Sequence, residues 1–527
     1  VNTHQEKTFA VVVIGGGLAG LTAAAHLAQR GIAPIVLEAS SLWPGGRLSG
    51  GDPDSFDYQG RQWSFAPDHG VHAVWGGYHN MRAMLTDQLK IELRESNGEE
   101  WINRWRREIR VIEAGKSVQN SWIPAPFHYL QLLFRLGFWR TITPFDFLSL
   151  PGFLFSVLWT VGLDPIREKI ALDGLEMKEY FRGWTPNLRA TFHGLGVNLL
   201  AAPAESISLT AFIAAIRFYT MLRRDAWRLQ FFTGNSHDHL IAPLIKRIEA
   251  HGGKVLYGAT ALKLERETHA WRVIVEDAPK RGLRSLRAQE VILGVNPAAA
   301  QRLLDHSPDT PTDGLKFPAS VRSIAIRLWF SRQPRPGASS GMMTGDFQID
   351  NFFWLHQLYD EFHEWREQGG SAVEVHIYGP EKLVDQPDQN LLITALNELQ
   401  LAFPELRGHF VYGVVRRNSR THSVFRVPTA DSLHLVTPWT GITACGDWIG
   451  YDTPAFWMER AVTTGIAAAN RVLVEAGQAP FPLIEPSPPE PLAHGLSKIV
   501  GVIRRGFRPI IGGLRYLRRK KDKRVGV

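Results

Sequence analysis

Val11 to Glu38 reads VVVIGGGLAGLTAAAHLAQRGIAPIVLE, and Gly45-Gly46-Arg47 follows shortly after it. Val11 to Ile14 is a β-branched apolar run of the kind that fills a strand buried on both faces, and it leads straight into Gly15-Gly16-Gly17-Leu18-Ala19-Gly20. The order is strand, glycine turn, helix. Gly15 permits the tight turn, Gly17 removes a side chain where a pyrophosphate must approach, and Gly20 lets the helix pack on the strand. The first turn of that helix, with Leu18 and Ala19, offers unpaired N–H groups to phosphate. Leu21, Ala24, Ala25 and Ala28 give the helix a slim apolar face, Gly31 ends it, and Ile35-Val36-Leu37 supplies a second strand. Glu38 closes that strand, 18 residues past Gly20. An acid there accepts hydrogen bonds from an adenosine ribose and repels a 2′-phosphate.

A lone GxGxxG also occurs in ordinary glycine turns, but here the flanking strands, helix and terminal acid agree. The turn itself serves NAD or FAD. Gly45-Gly46-Arg47 favours FAD, because a second pair of backbone N–H groups and a guanidinium suit a pyrophosphate and ribityl chain that continue past the first turn.

At 527 residues the chain is too long for one compact core, so two or three domains are expected. Its 44% apolar and 11% aromatic content describe a globular protein. The single cysteine, Cys445, excludes an internal disulfide and a cysteine-rich metal site; it reads as a small buried residue, and a reducing compartment is consistent with it. Val1 to Phe9 is polar and carries no apolar signal-like run. The net charge of +8 is local: from Pro491 onward eleven Lys and Arg face one acid, a balance of +10, so the preceding 490 residues sum to −2.

Further along, DHGVHAVWGGY (residues 68–78) holds two histidines among glycines and apolar residues. It reads as irregular backbone lining a site, or as a loop whose histidines the backbone satisfies. Phe127 to Leu163 is rich in Phe, Leu and Trp, with Arg135, Arg140 and Asp146 its only charges. Pro151 and Gly152 interrupt it, which favours core or the mouth of an apolar cavity over a membrane span. Leu172 to Leu209 reads as largely helical, His239 to Ala250 as a helix ended by Gly252-Gly253, and Lys254 to Tyr257, Ala261 to Leu264, Val291 to Val295 and Val321 to Phe330 as strands. Ala372 to Tyr378 alternates strictly, so Glu374, His376 and Tyr378 share one face, either lining a pocket or solvated. Ile442 to Cys445 is a strand with Gly446-Asp447 as its polar end, and Phe456 to Gly465 opens a helix. Asp447 suits a ribityl hydroxyl, and the helix N-terminus suits the negative charge of a reduced flavin.

Six prolines between Pro480 and Pro491 predict a stiff linker. Beyond it Leu496, Ile499, Val500, Ile503, Phe507, Ile510, Ile511, Leu514 and Leu517 recur at helical spacing among arginines. That pattern fits an interfacial membrane helix, or a helix packed on the body with a basic end. No stacking platform accompanies the charge, so nucleic acid is not an expected partner.

These stretches together resemble the FAD-dependent carotenoid and isoprenoid desaturases of the amine-oxidase-like flavoprotein superfamily. The resemblance runs from Val11 to Leu473 through VVVIGGGLAGLTAAAHL, VLEASSLWPGGR, HGVHAVWGGYHNMRAML and ACGDWIGYDTPAFWMERAVTTGIAAANRVL. DHGVHAVWGGYHN is similar to plant-type phytoene and ζ-carotene desaturases and hydroxysqualene oxidoreductases. MERAVTTGIAAAN and GGSAVEVHIYG are closer to the β-carotene desaturase/methyltransferases that make aromatic rings. Arg460 stands where the desaturases usually have glycine.

The resemblance implies an α/β fold in which a discontinuous Rossmann-type FAD-binding domain (1–75, 230–300, 436–476) is interleaved with an α+β substrate domain (76–229, 301–435). A Pro-rich linker (477–495) and a basic amphipathic tail (496–527) would follow. It places Gly15, Gly17 and Gly20 on the pyrophosphate, Glu38 on the ribose, Gly45, Gly46 and Arg47 along the phosphates and ribityl, and the backbone of Ala261 by the adenine. Gly446, Asp447 and Met458 would lie beside the ribityl and flavin ring. The implied reaction is hydride removal from an apolar isoprenoid, with His72, Glu374 and His376 as candidate proton acceptors and quinone or oxygen as electron acceptor. The setting would be peripheral, on the cytoplasmic side of a membrane. An aromatic-ring synthase, an amine-oxidase-type enzyme on a soluble amine, and a lipid-binding protein without redox chemistry are the alternatives.

Overall fold

A computed structural model of the chain describes residues 8–506. The expected tail residues Phe507, Ile510, Ile511, Leu514 and Leu517, with their arginines, lie outside the described residues, as do residues 1–7.

The Val11–Ile14 run forms the centre of a seven-stranded sheet. β1 (Thr8–Ile14) pairs in parallel with β2 (Ile35–Leu37) on one side and with β3 (Gly282–Leu293) on the other. Lys254–Leu256 extends the β2 edge in parallel, Ile442–Ala444 pairs in parallel with the end of β3, and Ala259–Arg266, Trp271–Asp277 and β3 form an antiparallel meander. Three distant parts of the chain therefore build one sheet. Val11, Val12 and Val13 have no exposed surface, as a parallel strand covered on both faces requires.

Two helices cover one face of that sheet: α1 (Leu18–Gln29) and α2 (Trp457–Glu475). Their close approach depends on glycine. A Cβ on Gly465 of α2 would lie 2.6 Å from the Ala19 carbonyl oxygen. On the other side of α1, a Cβ on Gly20 would lie 2.1 Å from the Gly15 carbonyl oxygen.

A second seven-stranded sheet holds most of the remaining strands, beside a two-stranded sheet (Asp54–Tyr58 with Arg61–Phe65) and a three-stranded one (Ala73–Trp75, Leu229–Phe232 and Leu93–Glu95). β4 (Ser320–Phe330) lies between β5 (Ser371–Ile377) and β6 (Phe410–Ser423), antiparallel to both, and the sheet continues beyond β5 through Asn351–Trp354, Ser340–Gly345, Glu99–Trp105 and Glu108–Glu113. All seven residues of β5 are buried, so the solvated reading of the Glu374 face is corrected: both faces of this strand are covered.

Leu136–Thr141 packs on Glu108–Glu113 and Pro186–Leu200 on Ser340–Gly345, with Leu150–Gly162 and Leu209–Ile216 packed on neighbouring helices. Leu172 to Leu209 is less regular than expected, with one long helix at Pro186–Leu200. Phe127 to Leu163 is core only in part: Leu132 and Leu163 are buried in the main apolar cluster, while much of the rest faces outward. Its Leu150–Gly162 helix buries Val157 and Val161 but leaves Leu154, Phe155 and Leu158 outside.

The proline stretch is corrected too. It is tied to the body: Asn470 brackets the Phe481 backbone, the Asn80 amide holds the Ile484 backbone, and the Glu490 carboxylate accepts the N–H groups of Arg224 and Ala125. The helix after it starts at 491, five residues before the expected tail, and continues through 506, the last described residue. Val500 sits where a Cβ on Gly162 would be, 2.4 Å from its Cγ1, and Arg504 donates to the Gly162 carbonyl (3.1 Å) and pairs with Glu168. Proline here makes a strap rather than a free spacer.

Candidate active site

At the glycine turn the backbone does what side chains would obstruct. Gly15 has φ +108°, and a Cβ there would meet the Gly294 carbonyl oxygen at 2.5 Å. Gly17 is the N-cap of α1 and its Cβ direction is open, with only the Gly294 oxygen 4.0 Å away. That open side at a helix N-terminus is where a pyrophosphate fits. Glu38 is held at the end of β2 by the N–H groups of Gly16 (3.1 Å) and Ser40 (2.7 Å). Burial raises its carboxyl above the usual range, and these N–H groups work against that rise. Ala259 donates to the Glu38 carbonyl at 2.8 Å, which brings the start of the Ala259–Arg266 strand, and Ala261 with it, beside the same strand end.

The second glycine pair docks on the first. Gly45 (φ +115°) donates to the Gly16 carbonyl at 2.9 Å and bridges to Gly17, while Gly46 (φ +61°) opens a short turn carrying Arg47. Arg47 pairs with Asp447 and lies 2.9 Å from His422 Nδ1. Gly446, at φ +146°, turns the chain after Ile442–Ala444 so that Asp447 meets Arg47. Leu18, Ala19 and Met458 are buried beside these turns.

Trp457 and His422, which the sequence did not single out, complete this corner with Arg460. Trp457 starts α2 at φ +44°, a strained conformation for a bulky residue, with its indole donating to the Leu199 carbonyl (2.8 Å) and its ring 4.8 Å from that of His422. Burial and then the Arg47 charge push His422 down to about 4. Arg460 is fully buried. Its guanidinium donates to the carbonyls of Thr453 (2.8 Å), Ile449 (2.7 Å) and Tyr451 (3.0 Å), so it clamps the loop that follows Asp447 to α2. Burial alone pushes the Cys445 thiol up to about 12.

The candidate proton acceptors sit in one cluster with unequal freedom. Glu374 faces Arg327 across the β4–β5 register and accepts its Nε at 2.7 Å; it also accepts the Val71 N–H at 2.7 Å and contacts His376 Nε2 at 2.9 Å. Burial pushes Glu374 up, but Arg327 and His376 outweigh it and hold the carboxyl at about 2. Arg327, also buried, donates to the Ala66 carbonyl (2.6 Å) and lies 3.6 Å from Asp54. His376 uses both ring nitrogens, the second on the Tyr378 hydroxyl at 3.0 Å. His72 is half-buried, with Nδ1 3.2 Å from Ser236 Oγ and 3.9 Å from Asp68. Burial, with His376, Arg47 and His69 nearby, pushes it down to about 3. His72 is the only one of the three with a ring nitrogen not engaged by the described protein.

Beyond this cluster, Phe153 and Val157 of the Leu150–Gly162 helix line a cavity of about 40 Å³ together with Tyr180, Trp184, Phe192 and Phe212. The opposite side of the helix is exterior. With its neighbours it exposes Phe145 (77%), Leu148 (72%) and Phe155 (62%), and the 491–506 helix adds Ile499, Val502 and Ile503. Pro144–Gly162 is long and apolar enough to cross a membrane, and 39% of its apolar window is buried.

Comparison with known proteins agrees with this geometry. Residues 18–473 match the family described as flavin containing amine oxidoreductase. The carotenoid phi-ring synthase of Streptomyces griseus is 25% identical over 89% of this chain and 88% of its own. The 15-cis-phytoene desaturase of Synechococcus elongatus is 24% identical over 81% and 86%. Cyclohexylamine oxidase from Brevibacterium oxydans has the same fold, with a TM-score of 0.66 at 15% identity over 90% of this chain and all of that one. The glycine turn, anchored Glu38 and open Gly17 fit a flavin nucleotide, so a match spanning most of the chain and a cradle of the right shape say the same thing: the chain is an oxidoreductase of the flavin containing amine oxidoreductase family.

Proposed function

We propose that the protein binds FAD and desaturates a long apolar isoprenoid of the carotenoid type at a membrane surface. The observation that carries the reading is the exposed apolar face around Phe145, Leu148 and Phe155, set on a helix whose inner side lines an aromatic cavity. A soluble amine has no use for such a face, whereas a hydrocarbon held in a bilayer does. The carotenoid enzymes among the relatives support the same substrate class.

Gly15, Gly17, Gly20 and Glu38 would hold the dinucleotide end, and Arg47, Asp447 and the N-terminus of α2 the flavin end. Bound there, FAD supplies an acceptor for hydride from an allylic or ring C–H. The chain's own tasks are orientation, exclusion of water and uptake of a proton. Glu374 and His376 are committed to each other, to Arg327 and to Tyr378, which suits a scaffold; His72 is the group free to take a proton. Quinone or oxygen would be the final electron acceptor, and a peripheral position on the cytoplasmic side of a membrane would give access to quinone.

A second reading, aromatic-ring synthesis with a methyl shift, is favoured by the length of the match to the phi-ring synthase and by the aromatic walls of the cavity, which suit a cationic intermediate. An anaerobic absorption spectrum, followed while carotenes or squalene-type lipids are added in liposomes, tests both. Bleaching by an acyclic carotene supports desaturation, and bleaching by a β-ringed carotene alone supports ring synthesis. Persistence with every lipid, together with bleaching by amines, overturns both.

A further inference from the structure

The segment that brings His72 to the site also brings an acid that neither the family match nor the reading above assigns. Asp68 is buried. Its Oδ2 accepts the Ser236 N–H (3.0 Å) and hydroxyl (3.1 Å) and lies 3.4 Å from the Tyr359 hydroxyl, while Oδ1 accepts the His69 N–H (2.9 Å). Ser236 has a single hydroxyl proton, and Asp68 takes it. The lone pairs of Ser236 Oγ then face His72 Nδ1 at 3.2 Å. A contact between that oxygen and that nitrogen is a hydrogen bond only when Nδ1 carries the proton. Asp68 Oδ1, 3.9 Å from the same nitrogen, is too far to hydrogen-bond, but its negative charge favours a proton there.

We propose that Asp68 and Ser236 are positioning residues that lock His72 as its Nδ1–H tautomer, leaving the Nε2 lone pair as the proton acceptor of the active site. The inference rests on the desaturase reading for its reaction, but the tautomer stands on the geometry alone. In the reaction a substrate C–H bond would break, an N–H bond would form at Nε2, and the electron pair left on carbon would become the new double bond, with FAD, held as described above, supplying the acceptor for hydride from the neighbouring carbon. The imidazolium so formed keeps its Nδ1–H on Ser236 and has the Asp68 carboxylate beside it.

The surroundings agree. Burial and Glu374 push Asp68 up to about 6, against the pull of Arg327, so it remains a carboxylate at neutral pH. His72 stays neutral there. Glu374, by accepting the Val71 N–H, anchors the backbone next to His72 without touching its ring.

The test uses flavin-loaded protein with ¹⁵N-labelled histidine, the His72 signals being assigned by difference from His72→Gln. Wild type should show a pyridine-type Nε2 and a protonated Nδ1. Ser236→Ala should mix or invert the two, and Ser236→Thr, which keeps the hydroxyl, should restore the wild-type pattern. With the lipid that bleaches the flavin, Ser236→Ala and Asp68→Asn should lower kcat about 10- to 100-fold with KM little changed. A proton on Nε2 in wild type, or the same spectrum in wild type and Ser236→Ala, overturns the proposal, and Ser236→Ala decides it even where Asp68→Asn does not fold. Failure of every lipid to bleach the flavin would sink the desaturase reading and leave the tautomer result to be judged by itself.

Discussion

The glycine turn and the Glu374 cluster lie in the same molecule but are built in opposite ways. The turn is local and made of backbone: residues 15–20, 38 and 45–47 come from one short stretch, and the features that matter are missing side chains and free N–H groups. The cluster is made of side chains from remote segments. Glu374 meets Arg327 across two strands, the Val71 N–H from a loop some three hundred residues earlier, and His376 from its own strand. The glycines of the turn fail when something is added, and the cluster fails when something is removed.

Removal from the cluster should give the larger effect. Arg327→Met leaves the buried Glu374 and Asp54 carboxylates without their shared guanidinium and should cost about 3–5 kcal/mol in denaturant unfolding at pH 7. Replacing both partners, in Arg327→Met with Glu374→Gln, should cost less than the single change, and equal or greater loss would show that the pair is not the unit described. Acid adds a check on sign. The Glu374 carboxyl is held at about 2, below its ordinary value of 4.5, so its stabilisation is present above 4.5 and lost as pH falls toward 2. Denaturation of wild type and Glu374→Gln should therefore differ most at neutral pH and converge below pH 4.5. A gap that widens with acid would contradict the assignment.

Addition at the turn comes next. Gly20→Ala places a Cβ 2.1 Å from the Gly15 carbonyl oxygen, so backbone must move. Stability should fall by about 1–3 kcal/mol, and the purified protein should lose its yellow colour. Glu38→Ala is milder, since the fold keeps its strands while Gly16 and Ser40 lose their acceptor. Flavin should bind about 10- to 100-fold more weakly, as measured by fluorescence titration, with an unfolding midpoint close to wild type.

The same contrast explains what the sequence made legible. Gly15, Gly17, Gly20 and Glu38 could be placed because strand, turn and helix follow one another directly, and local sterics decide what a glycine does there. Alternation put Glu374, His376 and Tyr378 on one face correctly, because a strand has period two. It could not say what that face meets, since cross-strand partners depend on register set by the whole sheet. Hence Arg327, Asp68 and Ser236 went unnoticed, although the Asp68 of DHGVH stood beside the two histidines that drew attention. His422 and Trp457 were missed for a similar reason: the role of His422 follows from meeting Arg47 in space, and that of Trp457 from meeting His422. The proline run misled because composition reports stiffness and says nothing of the hydrogen bonds that Asn80, Asn470 and Glu490 make to it.

The apolar stretch from Phe127 to Leu163 belongs to neither pattern and should give the smallest effect on stability. Hydrophobicity alone reads as core, yet Phe145 and Leu148 are mostly exposed and contribute little burial. Phe145→Ser with Leu148→Ser should change unfolding free energy by no more than about 0.5 kcal/mol. Cofactor loading should be untouched, because neither residue approaches the glycine turns. Only the partition onto lipid should respond. In flotation with liposomes the double variant should shift toward the soluble fraction, and more so in neutral than in anionic liposomes, where the basic C-terminal sequence still supplies attraction. Wild-type flotation with unaltered stability would mean that this face does not meet the bilayer. A large loss of stability would mean instead that the surface is supported by packing, and the contrast between core and face would have to be redrawn there.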